Sequence, residues 1–285
     1  MALFDDILLV SDFDHSITGP DGNIPARNIE AVRYFIENGG TFTFCTGRSI
    51  SNMTEDASLV PTNAPLLLLN GSAAYENGKC LYYQAIDLDV GEVLSRLEAE
   101  FPQFNLDVQD LYNVYLVNEK PGFGAFYDAM GWPHQPLESI DQIKVFLTFS
   151  IVGTPRCNDV TTLFDITPEE DAEFNRLQNR IAELWGDKTV TFRGSPRAVN
   201  IHAKDANKGA AAADLKKRLG KKLLVAMGDA KNDITMIQMA DYGFCPADGQ
   251  VAGLFPDRLV CPCGEGALAQ IIYEKLPEIL KKENL

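Results

Sequence analysis

The sequence predicts an α/β protein in which a parallel-sheet core carries a separate, inserted α+β unit. Two observations predict the core: short apolar runs of strand length alternate with amphipathic helical segments, and the runs end in small polar residues. A third predicts the insert: the alternation breaks near Asp87 and resumes near Asp205. The expected boundaries are 1–84 and 199–285 for the core and 85–198 for the insert.

The first strand ends in ILLVSDFDHS, Ile7 to Ser16, where Asp12 and Asp14 are separated by one Phe. In an extended chain the two acids point to the same side, beyond a strand's carboxyl end, where open α/β sheets take their ligands. A Gly/Pro/Asn-rich loop, Thr18 to Pro25, leads to an amphipathic helix, Ala26 to Asn38, closed by Gly39-Gly40. TFTFCT, Thr41 to Thr46, reads as a buried strand running into Gly47-Arg48-Ser49, and this crossover favours parallel pairing. A helix around Ile50 to Leu59 and a strand from Pro65 to Asn70, ending at Asn70-Gly71-Ser72, make a second such unit.

The inserted stretch reads α-β-α-β-α-β-β. A helix with Val90, Val93, Leu94, Leu97 and Phe101 precedes the strand LYNVYLVN, and a short helix from Phe123 to Met130 precedes IKVFLTFSIVG. Thr167-Pro168-Glu169-Glu170 carries the signature of a capping box with proline at the first helical position. KTVTFR and RAVNIHA close the insert. The core resumes with a helix from Lys208 to Leu219 stopped by Gly220, the strand Leu223 to Met227, a further helix, the strands YGFCPA and RLVCPC, and a helix from Gly266.

With 285 residues, 46% hydrophobic and 23% charged, the chain can bury a sizeable core, and disorder is not indicated. A net charge of -15 argues against nucleic acid or an anionic membrane as a partner. An anionic substrate then needs a local gathering of cations. Of the six cysteines only Cys261 and Cys263 are close-spaced, without the partners of a zinc site, which suggests reduced thiols. The acidic N-terminal stretch lacks the basic region of a signal peptide, and no apolar run is of membrane-spanning length. A cytoplasmic protein is expected.

Four strand ends carry chemistry: Asp12 with Asp14, Thr46, Lys208 at a helix start, and the group Asp229, Asn232 and Asp233. Carboxylates converging on one spot repel, so they imply a divalent cation, and oxygen ligands suit Mg²⁺. Thr46, Lys208, Asn232 and backbone N–H groups at helix starts are donors fit for a phosphoryl group. Together these groups point to phosphoryl transfer.

DFDHS, the strand-end Thr46, the NKG of Lys208 and the GDAKND of Asp229 resemble the four motifs of the haloacid dehalogenase-like hydrolase superfamily. Asn70-Gly71, the position of the insert and Gly264-Glu265-Gly266-Ala267 are similar to its Cof-type sugar-phosphatase branch, subfamily IIB. The resemblance implies a Rossmann-like core with an inserted cap and a small phosphorylated metabolite, a sugar phosphate first, as substrate. It implies Asp12 as nucleophile, Asp14 as acid and base, and Thr46, Gly47 and Asn232 on the phosphoryl oxygens, with Lys208 balancing charge. Asp12, the backbone carbonyl of Asp14 and Asp229 would ligate Mg²⁺, with Asp233 beside it or acting through water. His15 and Ser16 stand where the family usually has Gly and Thr; Ser16 keeps the hydroxyl, and His15 is read as a solvent-facing loop residue. Arg48 stabilises a loop or meets substrate. A phosphosugar mutase is the alternative on the same chemistry, and a phospho-accepting receiver domain a remoter one, being shorter and without a cap-sized insert. Oligomeric state is not readable from the chain.

Overall fold

The computed structural model describes residues 2–53, 58–120, 122–153 and 166–285. The chain divides into two compact units: Met1–Gly47, Glu55–Leu81 and Asn207–Leu285 make one, Arg48–Thr54 and Tyr82–Ala206 the other.

Strand β1 (Ile7–Ser11) opens the first unit and is buried along its whole length, as an unbroken apolar run requires in a parallel sheet covered on both faces. Helix α1 (Ala26–Glu37) turns Ala31, Val32 and Phe35 inward. It stops where the sequence predicts. Gly39 takes φ 91°, and the N–H groups of Gly39 and Gly40 donate to the carbonyls of Ile36 and Phe35. Strand β2 (Thr41–Phe44) pairs in parallel with β1, with Ser11 opposite Phe44. The helix expected around Ile50 to Leu59 is preceded by a 3-10 turn, Ile50–Asn52; 54–57 lie outside the described residues, and Ser58 is helical. Ser49, Ser51 and Asn52 hydrogen-bond among themselves there, the local competition that weakens a helix start.

Strand β3 (Leu66–Leu68) ends two residues before Asn70, because Leu69, Asn70 and Gly71 all take positive φ. It pairs antiparallel with β4 (Ala73–Glu76), and Asn77-Gly78, at φ 50° and 74°, turns the chain into β5 (Lys79–Tyr83). Asn-Gly is the pair best suited to a two-residue hairpin turn, which the expected order of elements did not include.

The second unit runs through α2 (Val90–Glu100), β6 (Asn105–Gln109), β7 (Val114–Leu116), α3 (Phe123–Ala129), β8 (Gln135–Pro136), β9 (Thr148–Val152), α4 (Pro168–Trp185), β10 (Thr189–Ser195) and β11 (Ala198–Ala203). Its sheet has the order β10-β11-β9-β6-β7-β8 and is antiparallel except where β8 meets β7. The expected order omits β6 and β8. Strand β6 has only two apolar residues, Leu106 and Val108, and owes its place to pairing on both sides; β8 is two residues long. Because β11 lies between β9 and β10, it belongs to this unit, and the division falls after Ala206 rather than at 198. The capping box of α4 forms as the spacing predicts: Thr167 accepts from the Glu170 N–H, and Glu170 accepts from that of Thr167.

One face of this sheet (Leu106, Val108, Phe149, Ile151, Val199, Ile201) shares a core with Val93, Leu94 and Leu97 of α2 and Phe174, Leu177, Ile181 and Trp185 of α4. The opposite face is polar yet buried, with Asn105, Asp107, Gln109, Thr148, Ser150 and His202. Asp107 accepts from the Tyr127 hydroxyl at 2.8 Å and from Gln109 Nε2 at 3.2 Å. Burial pushes its carboxyl up to about 6, against the pull of the Tyr127, Gln109 and Ser150 hydrogen bonds.

An acid held protonated longer in the folded state than in the unfolded one stabilises the fold fully below about pH 4. That contribution is lost as the pH rises to about 6, at most about 3 kcal/mol. Asp107→Asn removes the titrating group and is expected to flatten stability across this window, and the Gln109 amide can turn so that its unpartnered Oε1 accepts from the new amide. Urea midpoints between about pH 4 and about pH 7 check it. Equal pH slopes in wild type and variant would contradict it.

The chain returns to the first unit through α5 (Lys208–Arg218), capped by Asn207, whose side chain accepts from the Ala210 N–H, and stopped by Gly220 at φ 65°. Strand β12 (Leu223–Met227) pairs in parallel with β1, from Ile7 opposite Leu223 to Ser11 opposite Met227. Then come α6 (Ile234–Met239), β13 (Tyr242–Pro246), β14 (Leu259–Val260), α7 (Ala267–Gln270), a π turn at Ile271–Lys275 and α8 (Leu276–Glu283). Pro277 has no N–H for the helical ladder, which widens just before it. The parallel sheet has the order β14-β13-β12-β1-β2, and a bridge from Cys45 to Leu67 sets β3 beside it. The chain leaves β1 on one side for β2 and comes back on the other as β12. Such a reversal opens a crevice at the carboxyl ends of the strands. No helix among the described residues is long and apolar enough to cross a membrane, and Cys45, Cys245, Cys261 and Cys263 are free thiols.

Candidate active site

Register builds the site. Since Ser11 faces Met227, Asp12 and Gly228 leave the sheet together, and the Asp12 N–H donates to the Met227 carbonyl at 2.9 Å. Lys208, the first residue of α5, is fully buried, and its Nζ lies 2.6 Å from Asp12 Oδ1 and 2.6 Å from Asp233 Oδ1. The other Asp233 oxygen accepts from the N–H groups of Asp229 and Ala230 at 3.1 and 3.0 Å. Only glycine fits at 228, where a Cβ would stand 2.4 Å from that of Asp233. Ser16 Oγ donates to Asp229 Oδ1 at 3.0 Å.

Asp12, Asp229 and Asp233 each offer a carboxylate oxygen, and these oxygens lie within 4.8 Å of one another. Burial, then the Asp233 charge, holds Asp12 well above the usual carboxylate range, with Lys208 opposing. Burial and Asp233 likewise push Asp229 up to about 6, against Ser16 and Lys208. Burial alone would lower the Lys208 pKa, but Asp12 and Asp233 hold it above its ordinary value. One ammonium against three buried carboxylates leaves negative charge in excess. An all-oxygen set of this kind fits a hard divalent cation such as Mg²⁺.

The other expected residues follow the ends of β1, β2 and β12. Asp14 is half-buried and its charge is felt at Asp12, though its carboxylate is not one of the three grouped oxygens. His15 is exposed, as expected, and sits at φ 53°, a conformation glycine adopts without penalty, which accounts for the glycine usual in the family. Thr46 is buried. Its N–H donates to the Leu67 carbonyl and its own carbonyl accepts from the Asn70 N–H, both at 2.9 Å. Gly47 packs on the Asn70 amide, where a Cβ would lie 3.4 Å from Oδ1 and Nδ2. Asn232 Nδ2 donates to Asn70 Oδ1 at 2.9 Å.

Arg48 donates to the Asn52 carbonyl and lies over the Trp132 ring, within the second unit. Two other lysines near these motifs, Lys204 and Lys231, are exposed, and Lys204 bonds the Gly186 carbonyl. Ser16 and Asn70 also contribute, and nothing in the sequence around either reveals which distant side chain it meets.

Residues 9–251 match the haloacid dehalogenase-like hydrolase family, so the chain belongs to that family of hydrolases. An uncharacterized hydrolase of Schizosaccharomyces pombe is 22% identical over 281 residues, covering 93% of this chain and 89% of its own. The 5-amino-6-(5-phospho-D-ribitylamino)uracil phosphatase YcsE of Bacillus subtilis is 25% identical over 246 residues, 85% of this chain and 84% of its own. The solved structure of a subclass IIB sugar phosphatase of the same superfamily superposes with a TM-score of 0.72 at 19% identity, covering 97% of this chain and 98% of its own. That likeness is one of fold.

Proposed function

We propose that this enzyme hydrolyses a small phosphate monoester, a sugar or sugar-alcohol phosphate first, through an aspartyl-phosphate on Asp12. The observation that carries the reading is the buried Lys208 ammonium bridging Asp12 and Asp233, with Asp229 grouped beside them. The relative that acts on a phosphoribityl compound supports the substrate class.

A carboxylate oxygen of Asp12 attacks phosphorus, and the ester oxygen leaves with a proton from Asp14. Asp14, now ionised, takes a proton from water, which attacks the phosphoryl group and frees Asp12. Splitting the hydrolysis in two replaces one hard step by two easier ones. Thr46, the Gly47 N–H and Asn232 hold the phosphoryl oxygens, and Lys208 opposes protonation of Asp12 and offsets the charge of the phosphate. Asp12, the Asp14 carbonyl and Asp229 would hold Mg²⁺, with Asp233 beside it, and the bound ion would neutralise charge developing on phosphate. The second unit acts as a cap that selects substrate. A cytoplasmic setting fits the free thiols.

Release of inorganic phosphate from a panel of sugar, sugar-alcohol, nucleotide and cofactor phosphates tests the reading. Turnover with Mg²⁺ and its loss in EDTA are expected, with sugar or sugar-alcohol esters fastest. Metal-independent turnover, or conversion of a hexose 1-phosphate to its isomer without free phosphate, would contradict it.

A further inference from the structure

The turn after β3 is unusual. Leu69, Asn70 and Gly71 take φ of 52°, 55° and 88° in succession, and the first two carry side chains that pay for left-handed backbone. Leu69 is buried, so nothing about solvent exposure explains the conformation.

Its consequence is a set of contacts to each of the three segments that carry the phosphate-binding groups. The Asn70 N–H donates to the Thr46 carbonyl, and the Asn70 amide lies against Gly47. Its Oδ1 accepts from Asn232 Nδ2, 162 residues away in sequence. Gly71 meets the Asn207 carbonyl so closely that a Cβ would stand 2.7 Å from it, and Asn207 caps the helix that begins with Lys208. An amide NH₂ has two hydrogens at a fixed angle. Spending one on Asn70 fixes the plane of the Asn232 amide and leaves the other aimed in one direction. An asparagine used only for its tolerance of left-handed backbone would need no such partner.

We propose that Asn70 is a positioning residue: it orients the Asn232 amide toward one bound phosphoryl group and locks the Thr46–Gly47 loop to the same spot. The inference rests on the phosphatase reading for its chemistry, but its test does not need turnover.

Asn70→Gly keeps the backbone N–H and accepts φ 55° without strain, so it removes the amide alone. The variant is expected to weaken binding of inorganic phosphate with Mg²⁺, measured by calorimetry, by about tenfold or more, a loss of the size that orienting groups around a site produce. KM for the best ester should rise likewise, with the unfolding temperature little changed. In an Asn232→Ala background the same substitution should cost less than about twofold, because residues acting as a unit are non-additive. Unaltered phosphate affinity, or equal losses in both backgrounds, would overturn the proposal. Absence of ester turnover in the wild type, with phosphate affinity still dependent on Asn70, would sink the phosphatase reading and leave the positioning role standing.

Discussion

Asp12→Asn is expected to abolish phosphate release while raising the unfolding temperature of the metal-free protein. An amide cannot form the acyl phosphate, so the loss should reach about 10⁴-fold or more, the scale on which removing a nucleophile acts. The gain in stability has a separate origin. Asp12, Asp229 and Asp233 crowd three buried carboxylates around one ammonium, and a neutral Asn at 12 relieves that crowding while Lys208 keeps Asp233. Catalytic sites often hold such strain at a cost in stability. Steady-state assays and melting curves in EDTA check both halves; turnover within about tenfold of wild type would contradict the first.

Lys208→Met should fail in the opposite way, losing both activity and stability. The side chain is fully buried and its ammonium is the cation that Asp12 and Asp233 share. Removing it leaves both acids buried beside one another, at a cost of about 3 to 5 kcal/mol. Turnover should fall on the order of 10²- to 10³-fold through loss of a positioned charge. Mg²⁺ should recover more stability in the variant than in wild type, since a second cation can stand in for part of the missing charge. Urea unfolding with and without Mg²⁺ measures this, and a variant as stable as wild type in EDTA would contradict it.

The parts of this fold that were legible in the sequence are those set by local chemistry. Gly39 and Gly220 end helices because only a left-handed residue closes the last turn there, and Thr167 with Glu170 caps a helix whatever surrounds it. The apolar runs at Ile7 and Leu223 needed two covered faces, which predicted a parallel sheet and brought Asp12 and Asp229 to the same edge. Strand β6 was not legible in the same way, because its place comes from neighbours on both sides and its polar residues are buried rather than solvated. The Asn77-Gly78 hairpin did carry a local signal, the dipeptide itself.

At the site, residue types and spacing pointed to the three grouped carboxylates and the lysine that the structure brings together. They did not disclose who holds whom. That Lys208 bridges Asp12 to Asp233, that Ser16 fixes Asp229 and that Asn70 meets Asn232 are contacts between residues up to 213 positions apart. Sequence spacing has no access to them.

The claim that Asp12 takes the phosphoryl group is tested most directly by stopping the reaction with acid during turnover and weighing the peptide that contains residue 12. A gain of one phosphoryl group on that peptide, absent from Asp12→Asn and from enzyme without substrate, is the expected result. Turnover that leaves the peptide unmodified at every quench time, or a phosphoryl group that persists in the variant, would contradict the account.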